Sequence, residues 1–321
     1  MKAGMFLVLL VFLSLYGGMH FYIYRKTAAA VSCNQGLLLV TLVVLLMAPL
    51  MAELLKGLGL STLAVPLGWV GYLWLGFAFL FVSFSGLLDL ALLAFKAGGK
   101  LVGSEGASIP MLSPLVRFLL PAALALAATC QGFFAARQVN VEWVRIQTPK
   151  LAERADPFRI VQITDLHLDL WSDEERIRRI VEKIQSIRPD VVVSTGDLID
   201  AGPDRLARFA DQLRALTPAH GKYAVTGNHE AYVGPGKSLA VAERAGFKML
   251  SYEVASVNGS IHFVGVDDPA VRRRVMTDGT AEVEALQQAP KEGFTVLLKH
   301  QPRVNRASVE WFDLQLSGHT H

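Results

Sequence analysis

The sequence predicts an α/β protein in two parts: a four-helix transmembrane region, then a layered α/β domain of mixed β-sheets flanked by helices. Three observations lead there. The 321 residues are 52% hydrophobic with a mean hydropathy of +0.37, yet residues 1–136 are nearly free of charge and the charged residues crowd into the remainder. From about residue 158, short runs of β-branched residues alternate with runs whose apolar positions recur at helical spacing. Five of those short runs end in Asp, Asn or His, which is where ligands bind in open α/β sheets.

Residues 1–137 form the expected membrane region, with apolar stretches at 5–24, 36–55, 65–95 and 115–135. Each approaches or exceeds the ~20 residues that carry a helix across a bilayer. Lys2 ahead of the first stretch also fits a signal peptide. Its length, the lack of a small-residue cleavage site and the following Arg25-Lys26 favour an uncleaved anchor. Arg25, Lys26, Lys96, Lys100 and Arg117 in loops one and three outweigh Lys2, Lys56 and Arg137 opposite them, so by the positive-inside rule the polar domain faces outward. Glu53, Asp89 and His20 lie in or near spans and are read as groups that reach the interface at helix ends. A net charge of +3 gives no case for nucleic-acid binding. The only cysteines, Cys33 and Cys130, fall in the membrane region, which excludes a thiolate metal site from the polar domain.

Residues 138–157 read as an opening strand (Val139, Val141, Val144, Ile146) and a polar linker. Beyond it, Ser172 with Glu175 makes a capping box, and Ile177, Ile180, Val181, Ile184 and Ile187 mark the buried face of a helix stopped by Pro189. Val191 to Thr195 is a buried strand closed by Gly196. Pro203 opens a helix with Leu206, Phe209, Leu213 and Leu216 on one side, and another spans Ser238 to Ala245. Glu253–Val257 and Ser260–Val266 around Asn258-Gly259 read as a hairpin with a type I′ turn, and a helix over Thr280–Gln288 precedes a strand at Phe294.

The strand ends carry the chemistry. Asp165 and His167 follow Ile160–Ile163; Asp197 and Asp200 follow Val191–Thr195; Asn228 and His229 follow Tyr223–Val225. His300 follows Phe294–Leu298, and His319 and His321 follow Leu314–Leu316. Five of the eight histidines fall at such ends, which points to a metal centre. Oxygen and imidazole donors without thiolate suit Mn, Fe or Zn, and the number of donors suits two divalent metal ions sharing a carboxylate. His220 and His262 are read as buried, hydrogen-bonded core residues, and Glu230 as a local cap outside the ligand set.

In chain order, Asp-Leu-His, Gly-Asp-Leu-Ile-Asp, Gly-Asn-His-Glu, Lys-His-Gln-Pro and Gly-His-Thr-His resemble the calcineurin-like metallophosphoesterase family across about residues 140–321. Asp267-Asp268-Pro269 and Leu314-Gln315-Leu316-Ser317 resemble its bacterial membrane-associated branch, which includes phosphodiesterases and enzymes that cleave the pyrophosphate of a lipid precursor. The resemblance implies a metallophosphoesterase domain at 158–321, with Asp165, His167 and His321 holding one metal. It gives Asn228, His300 and His319 to a second, and makes Asp197 the bridge. It implies a metal-activated hydroxide attacking phosphorus, His229 assisting the leaving group, typically worth ~10²–10⁴-fold, and Asp200 orienting His229. A phosphate-ester substrate, lipid-linked or from the cell envelope, and a place in a bacterial inner membrane are the expected partners and location. Arg272-Arg273-Arg274 reads as a solvated basic face. Family members usually continue past the last motif, so the end at His321 reads as a truncation. Two competing readings are a phosphoesterase for soluble nucleotides and a non-catalytic metal-binding membrane sensor.

Overall fold

The computed structural model describes residues 2–101, 112–151, 157–169, 172–201, 203–271 and 279–320. The chain forms two compact units, Met1–Gln138 and Val139–His321.

The first unit contains helices α1 (Lys2–Ala30), α2 (Gln35–Gly57), α3 (Ser61–Leu101) and α4 (Pro114–Ala135). Against the four expected spans, three helices among the described residues are long and apolar enough to cross a membrane: Gln35–Gly57, Ser61–Gly99 and Pro114–Ala135. The described side chains of α1 include His20, Arg25 and Lys26, which dilute its apolar run. Ile23, Leu42, Ala78, Phe81 and Ala125 form the buried centre of the unit. Asp89 and His20 depart from the expectation of groups reaching out at helix ends. The Asp89 carboxylate accepts from Tyr22 at 2.7 Å, Lys26 at 2.7 Å and Arg117 at 3.1 Å, so three helices meet on it. His20 is 6% exposed and accepts the Trp74 indole N–H at Nε2, which leaves Nδ1–H to donate to the Tyr16 carbonyl.

The second unit has four layers. Strands β1 (Ile160–Ile163), β2 (Val191–Ser194), β3 (Lys222–Ala224) and β4 (Lys248–Met249) form an all-parallel sheet in that order. Strands β5 (Glu253–Val257), β6 (Ile261–Val266), β7 (Phe294–Lys299) and β8 (Leu314–Leu316) form a mixed sheet, antiparallel only between β5 and β6. The period-two alternation of strands explains how both sheets stay buried. Val192 faces outward to the helices α5 (Glu174–Ile187), α6 (Pro203–Arg214) and α8 (Pro235–Arg244), packing with Ile177, Phe209 and Val241. Val191 and Val193 face inward to Phe263, Val296 and Leu298 of the other sheet. Val264 and Leu297 point away again, to Leu286 of α9 (Thr280–Gln287). The result is an α/β/β/α sandwich.

Most predicted elements are present, with shifted ends. The N-cap of α5 is Asp173, whose carboxylate accepts the Glu175 N–H; Ser172 instead bonds Asp169. Two competing acceptors in succession displaced the cap by one residue. Helix α8 starts at Pro235 rather than Ser238, with proline at its first turn, where a missing N–H costs nothing. Asn258 and Gly259 both have positive φ (52° and 66°), as a type I′ turn requires. The opening strand did not form: residues 138–148 have no strand partner among the described residues, and Trp143 and Val144 are 72% and 82% exposed. His262 is the expected core histidine, bonded to Ser256 and to the Glu292 carbonyl. His220 is only half-buried, stacked on Phe158.

Lys222 binds this unit together in a way the pattern did not suggest. It is 7% exposed, and its Nζ donates to the carbonyls of Leu213 (2.8 Å) and Ala245 (2.6 Å), at the C-terminal ends of α6 and α8. Burial, with Arg214 nearby, pulls its pKa down to about 8. The ammonium is therefore favoured less in the folded than in the unfolded chain, which binds the extra proton between about pH 8 and the ordinary lysine range near ~10.4. Stability is expected to rise with pH through that window, by up to ~3 kcal/mol. In Lys222→Met the rise from pH 8 to 10 in thermal unfolding should be flatter; an identical slope would assign it elsewhere.

Candidate metal centre

All the strand-end residues within the described chain converge on one edge of the sandwich, beyond the C-terminal ends of β1, β2, β3, β7 and β8. The turns that carry them are unusual. Asp165 (φ 52°), His167 (47°), Asp197 (49°) and His319 (74°) all adopt left-handed backbone, rare for residues with a Cβ. Such turns aim consecutive side chains back toward the sheet edge instead of onward along a strand. Two glycines make the close approach feasible. Gly196 (φ 96°) leaves room for His300, whose Nδ1 would lie 2.7 Å from an added Cβ. A Cβ on Gly227 would strike the Asp197 carboxylate.

Asp197 is the hub. It is 2% exposed and belongs to both groups that could hold a metal ion among the described residues: His167, Asp197 and His229, and Asp197, His300 and His319. Within each group the donor atoms lie within 4.8 Å of one another. The Asp197 Oδ2 stands 3.8 Å from His167 Nε2, 3.9 Å from His229 Nε2 and 3.2 Å from His300 Nε2. Its other oxygen accepts the His229 backbone N–H at 2.9 Å. Burial pushes the Asp197 carboxyl up, but the imidazoles of His300 and His229 and that N–H outweigh burial and hold it below the usual carboxylate range.

His300 is fully buried, and its Nδ1 lies 2.9 Å from the Thr195 carbonyl, an acceptor only. That fixes the tautomer and turns the Nε2 lone pair to the site. Around Nε2 stand Asp197 Oδ2 (3.2 Å), Asn228 Oδ1 (3.2 Å) and His319 Nδ1 (3.1 Å). Burial lowers the His300 pKa, but Asp197 and the Thr195 carbonyl outweigh it and hold the imidazole above its usual range. Oxygen and imidazole donors converging in this way fit a divalent cation.

Asp200 serves two imidazoles. Its Oδ1 lies 2.7 Å from His229 Nδ1 and 3.1 Å from His167 Nδ1, and the two rings stand edge to face, 4.5 Å apart. The contact with His229 is the one the sequence predicts; the contact with His167 was not expected. Both imidazoles thereby present Nε2 to Asp197. Asp165 is a member of neither group but lies beside the second, its charge acting on His300: its carboxylate accepts the His319 backbone N–H at 3.1–3.2 Å and the Thr164 hydroxyl at 2.6 Å, tying β1 to the last loop. Asn228 is brought to His300 as expected. His321 and Arg272-Arg273-Arg274 lie outside the described residues.

Glu230 is the local cap the sequence predicts, but it also reaches the Asp197 loop, which the sequence did not suggest. It sits in a short helix, α7 (Asn228–Val233), and is 4% exposed. Its carboxylate accepts four backbone N–H groups: Gly227 at 2.7 Å, Leu198 at 2.8 Å, Asp197 at 3.0 Å and Ile199 at 3.3 Å. Burial pushes its pKa up, offset in part by the Gly227 N–H. One carboxylate thus clamps the Asp197 loop to the Asn228–His229 loop. The signal for the cap lies in the spacing of Gly227 and Glu230, an N-cap with an acid three residues on.

A two-sheet sandwich whose parallel strands end in imidazoles and carboxylates around one shared aspartate is a metal-binding α/β scaffold. The profile described as calcineurin-like phosphoesterase matches residues 158–321, and the chain belongs to that family. A metallophosphoesterase of Aquifex aeolicus is 38% identical over 186 residues, covering 57% of this chain and 70% of its own length. A transmembrane protein with metallophosphoesterase domain from Danio rerio is 32% identical over 198 residues, 58% of this chain and 45% of its own. The Bos taurus protein of the same description is 27% identical over 245 residues, 72% of this chain and 54% of its own. The chain thus spans about half the length of most of these relatives. Among solved structures, the Haemophilus influenzae NAD nucleotidase aligns over 51% of this chain and 38% of its own, at 18% identity and a TM-score of 0.37, too slight a likeness to carry over a substrate.

Proposed function

We propose that this chain is a membrane-anchored, metal-dependent phosphoesterase that hydrolyses a phosphodiester or pyrophosphate bond. The observation that carries the reading is Asp197, one buried carboxylate shared by two donor groups. In this reading Asp165, His167 and His321 would hold one ion and Asn228, His300 and His319 a second, with Asp197 serving both. When bound, divalent ions of the Mn, Fe or Zn kind supply Lewis-acid activation of water and neutralise charge on the phosphoryl group.

The chain's own residues do the rest. Asp197 fixes the distance between the donor groups and balances their charge. Asp200 accepts the Nδ1 proton of His229, raising the basicity of Nε2 and aiming it into the site. His229 has the more exposed imidazole of the pair, 36% against 23% for His167, which suits it to pass a proton from Nε2 to the departing oxygen. Thr195 holds His300 in the tautomer that leaves Nε2 free.

The apolar helices and the relatives described as transmembrane proteins support a membrane anchor. A bacterial inner membrane, with the polar unit on its outer face and a lipid or envelope substrate, completes the reading. The purified protein, stripped of metal and resupplied with Mn²⁺ or Zn²⁺, should cleave bis-p-nitrophenyl phosphate faster than p-nitrophenyl phosphate. Hydrolysis that ignores chelator, or no hydrolysis under any metal, would sink the proposal.

A further inference from the structure

Beside His229 opens a cavity of about 360 Å³, lined by Asp200, Ala201, His229, Tyr232, Val233 and Lys237. That volume falls in the range of small-molecule sites and far exceeds what a departing alkoxide of one or two carbons needs. Its position, beyond the imidazole assigned to the leaving oxygen, makes it the leaving-group side. The lining has two chemical characters. Tyr232 is 71% exposed, an unusual amount for an aromatic ring, and it meets His229 edge to face at 5.4 Å while lining the cavity. Val233 adds apolar wall. The Lys237 ammonium, on the first turn of α8, makes no ion pair or hydrogen bond among the described residues, and no acidic residue shares that turn. The one carboxylate in the lining, Asp200, is already committed to two imidazoles.

We propose that this cavity seats the leaving group, and that the group it selects carries a negative charge of its own on a flat or apolar body, with Lys237 meeting the charge and Tyr232 the flat face. The inference rests on the hydrolase reading above and narrows its substrate class. The reaction balances simply. A water oxygen bonds to phosphorus, the bond to the leaving oxygen breaks, and the electron pair departs with that oxygen. His229 supplies it with a proton, and the proton displaced from water goes to solvent. The charge that Lys237 meets comes either from a second phosphate, as in a pyrophosphate, or from an anionic substituent elsewhere on the leaving group.

Three probes separate these sources: diphenyl phosphate, bis(4-carboxyphenyl) phosphate and P1,P2-diphenyl diphosphate, each assayed with the full chain and Mn²⁺. In Lys237→Met, kcat/KM on the charged substrates relative to diphenyl phosphate should fall about tenfold, the scale of one lost hydrogen bond to a charged group. Lys237→Arg should restore most of the ratio, and Tyr232→Ala should raise KM on all three. A fall for the diphosphate alone assigns the charge to a bridging pyrophosphate; a fall for both assigns it to any anion in that position. An unchanged ratio in Lys237→Met overturns the subsite while leaving the hydrolase intact. A wild-type protein that cleaves none of the three overturns both.

Discussion

Asp197→Asn is expected to reduce metal-dependent diester hydrolysis by at least ~10²–10³-fold, the cost of losing one preorganised electrostatic group. The substitution keeps the shape of the side chain and the acceptor for the His229 N–H, so the fold should survive. What it removes is the charge. With a neutral amide at the centre, His167, His229 and His300 lose the group around which they are arranged, and neither donor group retains its shared anion. Metal content by elemental analysis should fall in parallel, while far-ultraviolet circular dichroism stays the same. A variant that keeps full metal content and turnover would remove Asp197 from the centre of the scheme.

The second large effect is structural in origin. In Glu230→Gln, an amide with two N–H donors enters a nest of four N–H groups that all require an acceptor. At least two of them lose a good partner, and buried orphans of this kind cost ~1–3 kcal/mol each. A loss of about 3 kcal/mol would lower the unfolding temperature of a unit this size by roughly 6–12 °C. Because the same carboxylate clamps the Asp197 and Asn228–His229 loops together, metal affinity should weaken even at temperatures where the variant remains folded. Titration of Mn²⁺ into the folded variant tests this. Unchanged affinity would mean that the two loops hold their places without the clamp.

The convergence of the described candidate residues was legible because each follows a short apolar strand, and strand ends are marked by β-branched runs. The helix faces were legible for the same reason: Ile177, Ile180, Val181 and Ile184 recur at a period that only a helix can bury together. What escaped the reading depends on partners distant in sequence. The strand expected at Val139–Ile146 has the right composition, but a strand exists only where a neighbour pairs with it. Asp89 looked solitary because Tyr22, Lys26 and Arg117 come from other helices. Asp165 pairing with the final loop, and Asp200 serving His167 as well as His229, are likewise products of folding. Lys222 was invisible as a clamp because nothing local marks a lysine whose acceptors are two helix ends.

The left-handed backbone at Asp165, His167, Asp197 and His319 has a thermodynamic corollary. Each such residue costs on the order of 1–3 kcal/mol relative to ordinary backbone, and that cost falls on the folding of the metal-free chain. Packing of the sandwich and the Glu230 clamp must hold these turns before any ion arrives. An ion entering such a cage has little left to organise, so its affinity is spared most of the ordering entropy that a flexible site would exact. By the same logic, glycine at these four positions would relieve the backbone, at the expense of the very side chains the cage exists to present and of the hydrogen bonds that Asp165 and Asp197 accept.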